Sequence, residues 1–423
     1  MLKIRKIFFR SALVLLFLFI LHSSAYAGNG VKLIGYGPIQ RSMGGASVGL
    51  PLDANTVITN PAGMHDVGKR VDLGLTLSVA SARYNATSNL AVPAPQFAPI
   101  LQNGATLISD TDPILIPAVA VTFPFNENIA VGVGLHGTSG VEIKYKRNLY
   151  GNITYVEYKC MQITPAASFS FEDVFSFGVA AAINYATLDY EAAGVEQRAH
   201  RNGSAWGGGY ILSMLVKPSN ALPVEVPKDF ISLGLAYQSE QAFAPFEYDT
   251  DYGRDKLQLN QPRTLTFGFG MKPDKKLRMG FDIEWINWNH VLGKNQPEYR
   301  ENFSNSAAWN VNWNNQAVYK LGVAYDILEK IVVEKLTIRA GYNYGKHPLK
   351  KDRPFEGIAL PAITEHHITC GLGADLMKNL SLNVAFMYAP KIKYSMSNAG
   401  NFINDANITT YAWSMDAGVS LKF

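Results

Sequence analysis

Few of the reactive side chains in this sequence stand at spacings that support catalysis. Asp189, Glu191 and Glu196 come nearest to a paired acid and base. His366 and His367 are adjacent, so on a strand their rings point to opposite faces and make a poor metal pair. No serine is read as the nucleophile of a Gly-x-Ser-x-Gly elbow. The Gly44-Gly45 pair lacks the spacing and the Lys-Ser/Thr of a phosphate loop. Cys160 and Cys370 form neither a metal signature nor a disulfide framework, and one long-range disulfide or two free thiols both fit. The chain is therefore read as a non-enzyme without cofactor or metal.

Binding chemistry is better represented. Lys144, Lys146 and Arg147 form one basic group, and Arg254, Lys256 and Arg263 form a second. Either group can receive the carboxylate of an amphipathic ligand or contact anionic lipopolysaccharide. Trp309-Asn310-Val311-Asn312-Trp313-Asn314-Asn315 interleaves aromatics with amides and suits an apolar capture surface or interfacial packing. Lys144, Arg147, Phe246, Arg254, Trp309 and Trp313 are the candidate ligand contacts. An apolar pocket with few polar groups is what such residues build.

These groups must be positioned by strands. In the last thirteen residues, Tyr411, Trp413, Met415, Ala417, Val419, Leu421 and Phe423 alternate with small or polar residues. Such a strand turns one face to lipid and the other to a lumen. Similar segments recur. They begin at Val71 and include Ala118–Phe125, Ile129–Thr138, Glu157–Phe171, Val174–Tyr190 and Leu380–Tyr388, and fourteen can be counted. Turn signals such as Asn126-Glu127-Asn128 and Pro273-Asp274-Lys275 separate several of them. An even count puts both barrel ends on the periplasmic side, with long loops outside. The expected fold class is all-β, a fourteen-stranded antiparallel transmembrane barrel.

The amino terminus has secretory character. Lys3, Arg5, Lys6 and Arg10 precede the apolar run Ala12–Leu21, followed by Ala25-Tyr26-Ala27. Ten helical residues span about 15 Å, half of a hydrocarbon layer of about 30 Å. Residues 1–27 are read as a signal peptide. The four leader cations equal the formal net charge of +4, so the remainder is near neutral and presents no nucleic-acid surface. Residues 28–70 precede the first wall strand and are rich in small residues. A compact plug uses such glycines, and a free tail would not need them. Residues 71–423 would form the barrel.

The stretch Arg41-Ser42-Met43-Gly44-Gly45-Ala46, then Asp53-Ala54, then Asn60-Pro61-Ala62-Gly63-Met64, resembles the hatch of the long-chain fatty acid transporter family of outer-membrane proteins. That family includes channels for toluene and related hydrocarbons. The likeness continues through Pro262-Arg263-Thr264, Lys276-Leu277-Arg278, Arg339–Tyr344 and Pro361-Ala362-Ile363. It implies passive uptake of hydrophobic compounds, with capture in outer loops, hatch rearrangement and lateral exit beside an inward kink in an early strand. Long-chain fatty acids are the expected substrate, and an aromatic hydrocarbon channel is the alternative. A diffusion porin and an adhesive barrel are the readings outside that class. The implied gating residues are Arg41, which would pair with an unidentified carboxylate, and Asn60, Pro61 and Ala62. Implied partners are the ligand, lipopolysaccharide, outer-membrane lipid and the barrel assembly machinery, and a monomer is expected.

Overall fold

The computed structural model describes residues 29–86, 106–109, 113–145, 155–191, 203–221, 227–250, 253–292, 312–327, 333–352, 360–397 and 405–423. Fourteen antiparallel strands form the wall. They are β1 (Arg70–Ala86), β2 (Ile114–Pro124), β3 (Ile129–Lys144), β4 (Tyr155–Phe171), β5 (Phe175–Glu191), β6 (Gly203–Val216) and β7 (Ile231–Gln238). The second half comprises β8 (Thr264–Met271), β9 (Leu277–Ile286), β10 (Gln316–Ile327), β11 (Lys335–Gly345), β12 (His366–Met377), β13 (Leu380–Ser397) and β14 (Asp405–Lys422). The sheet closes where β1 pairs with β14, from Arg70 opposite Lys422 to Ala86 opposite Ala406. Closure removes the unpaired edges that a hydrocarbon layer cannot satisfy.

Period-two alternation decides which side of each strand meets lipid. On β14, Tyr411 and Met415 are exposed, while Ala412, Ser414, Asp416 and Ser420 are buried inside. Phe123, Phe125, Phe169, Phe171 and Phe423 are exposed near the rim of short turns. Trp206, Tyr210, Trp285, Tyr319 and Tyr342 are exposed toward the opposite rim. These two sets form interfacial girdles, and the short-turn rim is the periplasmic one. Glu172 and Asp173 close the β4–β5 turn with left-handed φ of 50° and 55°.

Residues 29–69 fold inside the wall. This plug contains α1 (Gly37–Ser42), α2 (Thr56–Thr59), a 3₁₀ turn at Pro61–Gly63 and α3 (Met64–Val67). The helices are too short to hold themselves in water, so contacts with the wall define them. Gly44 and Gly45, at φ 64° and 82°, make the tight turn after α1. The amides of Gly44 and Gly45 donate to the carbonyls of Arg41 and Gln40 at 3.1 and 2.9 Å.

Glycines in the wall admit the plug backbone. A Cβ on Gly178, Gly234, Gly268 or Gly341 would overlap the main chain at Ala62, Val48, Gly49 or Gly44, respectively. Gly268→Ala is therefore expected to displace the Ser47–Gly49 turn and raise ion conductance in planar bilayers. Gly208→Ala is the control, because its Cβ would meet only the Ala182 carbonyl, at 3.8 Å.

An ion cluster ties α3 to the periplasmic turns. Lys217 Nζ lies 2.8 Å from Asp66, 2.5 Å from Asp173 and 3.5 Å from Asp229. Burial opposes the charge on Asp173, but hydrogen bonds from Lys217 and Lys228 hold its carboxyl below the ordinary 3.8. A depressed carboxyl stabilises the folded arrangement above its unfolded pKa and loses that contribution as pH falls through the folded value. Acidification below pH 3.8 should thus loosen the β4–β5 turn from Lys217 first. New pepsin cleavage within residues 171–175, absent at about pH 4.5, would register that loosening.

Candidate functional site

Among the described residues, the wall is interrupted between two early strands. β2 and β3 pair only from Ala118–His136 to Pro124–Ala130. The outer end of β2, Ile114 to Pro117, still pairs with β1. β3 instead bulges between Gly137 and Ser139 and stays paired with β4 as far as Lys144. Residues His136 to Val141 are buried without alternation, so the strand has turned into the lumen. Bulges re-aim a strand in this way. The run Gly137-Thr138-Ser139-Gly140 is the sequence signal of this turn, and by pattern alone it ends a strand at Thr138. Here the strand continues past its expected end at Thr138 to Lys144.

The start of the plug occupies the free edge of β3. The Leu33 amide donates to the Thr138 carbonyl and the Gly140 amide donates to the Val31 carbonyl, both at 3.3 Å. Lys32 and Ser139 form an antiparallel bridge between them. Leu33 packs on Ile114 and Ile116, plugging the gap with apolar side chains. Above the gap, Thr106–Ile108 pairs with β1 and Ser109 bridges to Tyr145. The opening is therefore a bounded window, sealed by residues 31–33.

Two cavities flank this seal. The outer one, about 20 Å³, is lined by Val31, Val141, Val156, Leu188, Leu259 and Trp288, with no Lys, Arg, Asp or Glu in its lining. Its polar neighbours are committed: Gln261 Nε2 donates to the Tyr158 hydroxyl at 2.5 Å. Trp288 belongs to α4 (Trp288–Leu292) and meets Trp313 edge-on at 5.1 Å. The inner cavity, about 50 Å³, includes Leu33, Ile34, Tyr36, Val48, Glu284 and Lys320. Glu284 bridges two lysines there, Lys32 at 3.0 Å and Lys320 at 2.7 Å. Burial first, and Glu284 second, push the Tyr36 phenol pKa up, so it stays neutral. Val31 to Tyr36 separate the two cavities.

The gating candidates lie on the plug. Arg41 Nε is 2.8 Å from Asp416 and its Nη2 donates to Ser414 at 2.7 Å. Asp416 is the carboxylate that sequence could not identify. Asn60 Nδ2 donates to the Val48 carbonyl at 2.7 Å, within the plug, and to the Met214 carbonyl of the wall only at 3.5 Å. Asn60 also caps α2, and Pro61 opens the 3₁₀ turn. The Ala62 amide donates to Ser213 Oγ at 3.0 Å.

A further plug anchor carries no sequence signal. Asp282 accepts the amides of Ser47, Val48 and Gly49 at 2.8, 2.9 and 3.3 Å. Gly45-Ala46-Ser47-Val48-Gly49 does carry the spacing of a nucleophile elbow, contrary to the sequence reading. Ser47 Oγ, however, donates to the Gly45 carbonyl at 3.4 Å and the segment is an anchor.

The ligand candidates do not converge. Lys144 is exposed at the end of β3. Phe246 is buried and stacked on Phe243, and Trp313 is buried against Trp288. Arg254 lies on a two-stranded ribbon, Phe246–Thr250 with Gly253–Leu257, opposite Asp249. Arg147, Lys146 and Trp309 lie outside the described residues. No cluster of metal-ligating side chains occurs among the described residues.

A closed barrel with a filled lumen, an apolar outer cavity and a sealed side window defines a transporter for hydrophobic compounds, not an aqueous pore. The chain belongs to the outer membrane protein transport protein family (OMPP1/FadL/TodX), whose model matches residues 26–423. It is a multi-pass outer-membrane barrel and not an enzyme. The Pseudomonas putida toluene transporter TodX is similar at TM-score 0.69 and 16% identity, over 92% of this chain and 99% of that one. A Pseudomonas aeruginosa FadL homologue gives TM-score 0.71 and 15% identity, over 93% and 100%. The Ralstonia pickettii toluene transporter TbuX gives 0.63 and 15%, over 92% and 99%. No curated protein matches the chain.

Proposed function

We propose that this barrel carries small uncharged hydrocarbons, monoaromatic compounds foremost, and releases them sideways through the window between β2 and β3. The observation that carries this reading is the outer cavity, whose lining has no ionised side chain to receive a carboxylate. Two of the similar structures are described as toluene transporters, which favours the same substrate class over the fatty acids expected from sequence. An outer cavity of about 20 Å³ is far smaller than the roughly 150 Å³ that holds benzene. Entry therefore requires movement, and residues 31–36 are the segment whose displacement merges the two cavities and frees the β3 edge. Arg41, Asn60, Pro61 and Ala62 act as the fixed base of the plug against which that segment moves.

A long-chain fatty acid is the second reading. It is favoured by Lys32 and Lys320, which share the single carboxylate of Glu284 and leave one positive charge in the inner cavity. Flux of radiolabelled toluene, oleate and sucrose through the refolded barrel in liposomes separates the readings. Saturable toluene passage without oleate passage supports the proposal. Saturable oleate passage moves the substrate to fatty acids, and free passage of sucrose overturns both.

A further inference from the structure

We propose that the periplasmic end of the lumen contains an oxyanion site of the phosphate class, separate from the hydrophobe route. A polar cavity of about 60 Å³ lies there between the plug, at Ile39 and Leu52, and the wall. Five cations line it: Arg70, Arg278, Lys335, Arg339 and Lys422.

Three carboxylates neutralise part of this charge. Arg70 pairs with Asp72 at 2.7 Å, and Arg278 pairs with Asp326. Lys335 lies 3.2 Å from Asp375 and 3.6 Å from Asp326, and Lys422 lies 3.8 Å from Asp375. Asp53 of the plug also acts on Arg70 and Arg339, and five cations against these four carboxylates leave the cluster net positive.

Arg339 forms no ion pair among the described residues. It is 8% exposed, and its Nη1 has no hydrogen-bond partner. Room for the guanidinium is provided by Gly373, where a Cβ would come within 2.7 Å of Arg339 Nη2. A buried, unpartnered guanidinium is costly unless an anion completes it. Nearby hydroxyls are already used: Thr337 donates to Asp326 at 2.7 Å and Ser381 to Asp375 at 2.6 Å.

Size and charge select the ligand. The cavity accepts a compact head group and excludes an acyl chain. A net positive lining with a free guanidinium suits a phosphate oxyanion better than a monocarboxylate, because guanidinium forks bind phosphate oxygens well. Lys335 and Lys422 have side chains 25% and 41% exposed, so the site opens toward the periplasm. Free phosphate and a phospholipid head group present the same chemistry.

The test uses the full mature barrel refolded in phosphate-free neutral detergent. Inorganic phosphate is titrated by calorimetry, with acetate as comparator. Saturable phosphate binding is expected, at least tenfold tighter than acetate. Arg339→Gln should weaken it at least tenfold and the rim variant Lys422→Gln about threefold. Lys422→Gln carries the test alone if Arg339→Gln does not fold. A second arm measures phosphatidylglycerol retained from mixed micelles. Retention that is lost in Arg339→Gln or Lys422→Gln, without free-phosphate binding, assigns the source to lipid. Absence of both ligands in the wild type, or equal affinity in both variants, overturns the site.

Discussion

Arg41→Met is expected to unseat the plug while leaving the wall folded. Arg41 and Asp416 are both nearly inaccessible, at 2% and 3% exposure. Removing one partner of such a pair leaves a buried charge uncompensated, at a cost of about 3–5 kcal/mol. Asp416 would keep only its hydrogen bond from Thr76, and Ser414 would lose its donor from Arg41. The β14 ladder does not use this side chain, so heat-modifiable migration on gels should not change. Conductance in planar bilayers should rise at least tenfold, and the plug should become protease-sensitive. Arg41→Met with Asp416→Leu removes both charges and should recover most of the seating. If the single variant conducts no more than wild type, the pair does not hold the plug.

Asp282→Ala should have an effect of similar size by a different route. One carboxylate satisfies three backbone donors at Ser47, Val48 and Gly49. Each buried donor left without an acceptor costs about 1–3 kcal/mol. Water entering the vacated space will recover part of this, so a net loss of at least about 3 kcal/mol in plug seating is expected. Asp282→Asn keeps one acceptor oxygen and should fall between. Urea titration of plug protease protection, with wall integrity followed separately, measures both variants. Unchanged protection in Asp282→Ala would show that the Ser47–Gly49 turn is held by packing alone.

The wall was legible because lipid imposes its period on the strands. Alternation from Tyr411 to Phe423 maps onto exposed and buried faces of β14, and each of the fourteen expected strands has its counterpart. Strand ends were less legible. β13 was expected to end at Tyr388 but runs to Ser397. Pro390, which cannot donate to a ladder, falls in the register shift between Ala389 and Ile392. Beyond the hydrocarbon layer a ladder persists through backbone bonds, although its side chains need no longer alternate. Motifs marked the plug segment, but they could not name Asp282 or Asp416. Alternation tells which positions face inward and not what they meet across hundreds of residues. The seal was invisible for a related reason. Val31-Lys32-Leu33 has no signature of its own, and it acquires a role only because β3 leaves β2 after His136.

Hydrophobes that leave through the side window must pass the seal of residues 31–33. A disulfide across that seal tests it most directly. Lys32 and Ser139 are bridge partners flanked by the 3.3 Å bonds, a non-hydrogen-bonded pair. Such pairs have Cα separations of about 4.5 Å, within the disulfide range of roughly 4.4–6.8 Å. Cys160 lies opposite Ser139 in register, so Lys32→Cys and Ser139→Cys are made in a Cys160→Ser background. Toluene flux into liposomes is then measured oxidised and reduced. At least a tenfold loss on oxidation is expected, restored by reductant. Equal flux in the two states would contradict it and place the exit elsewhere.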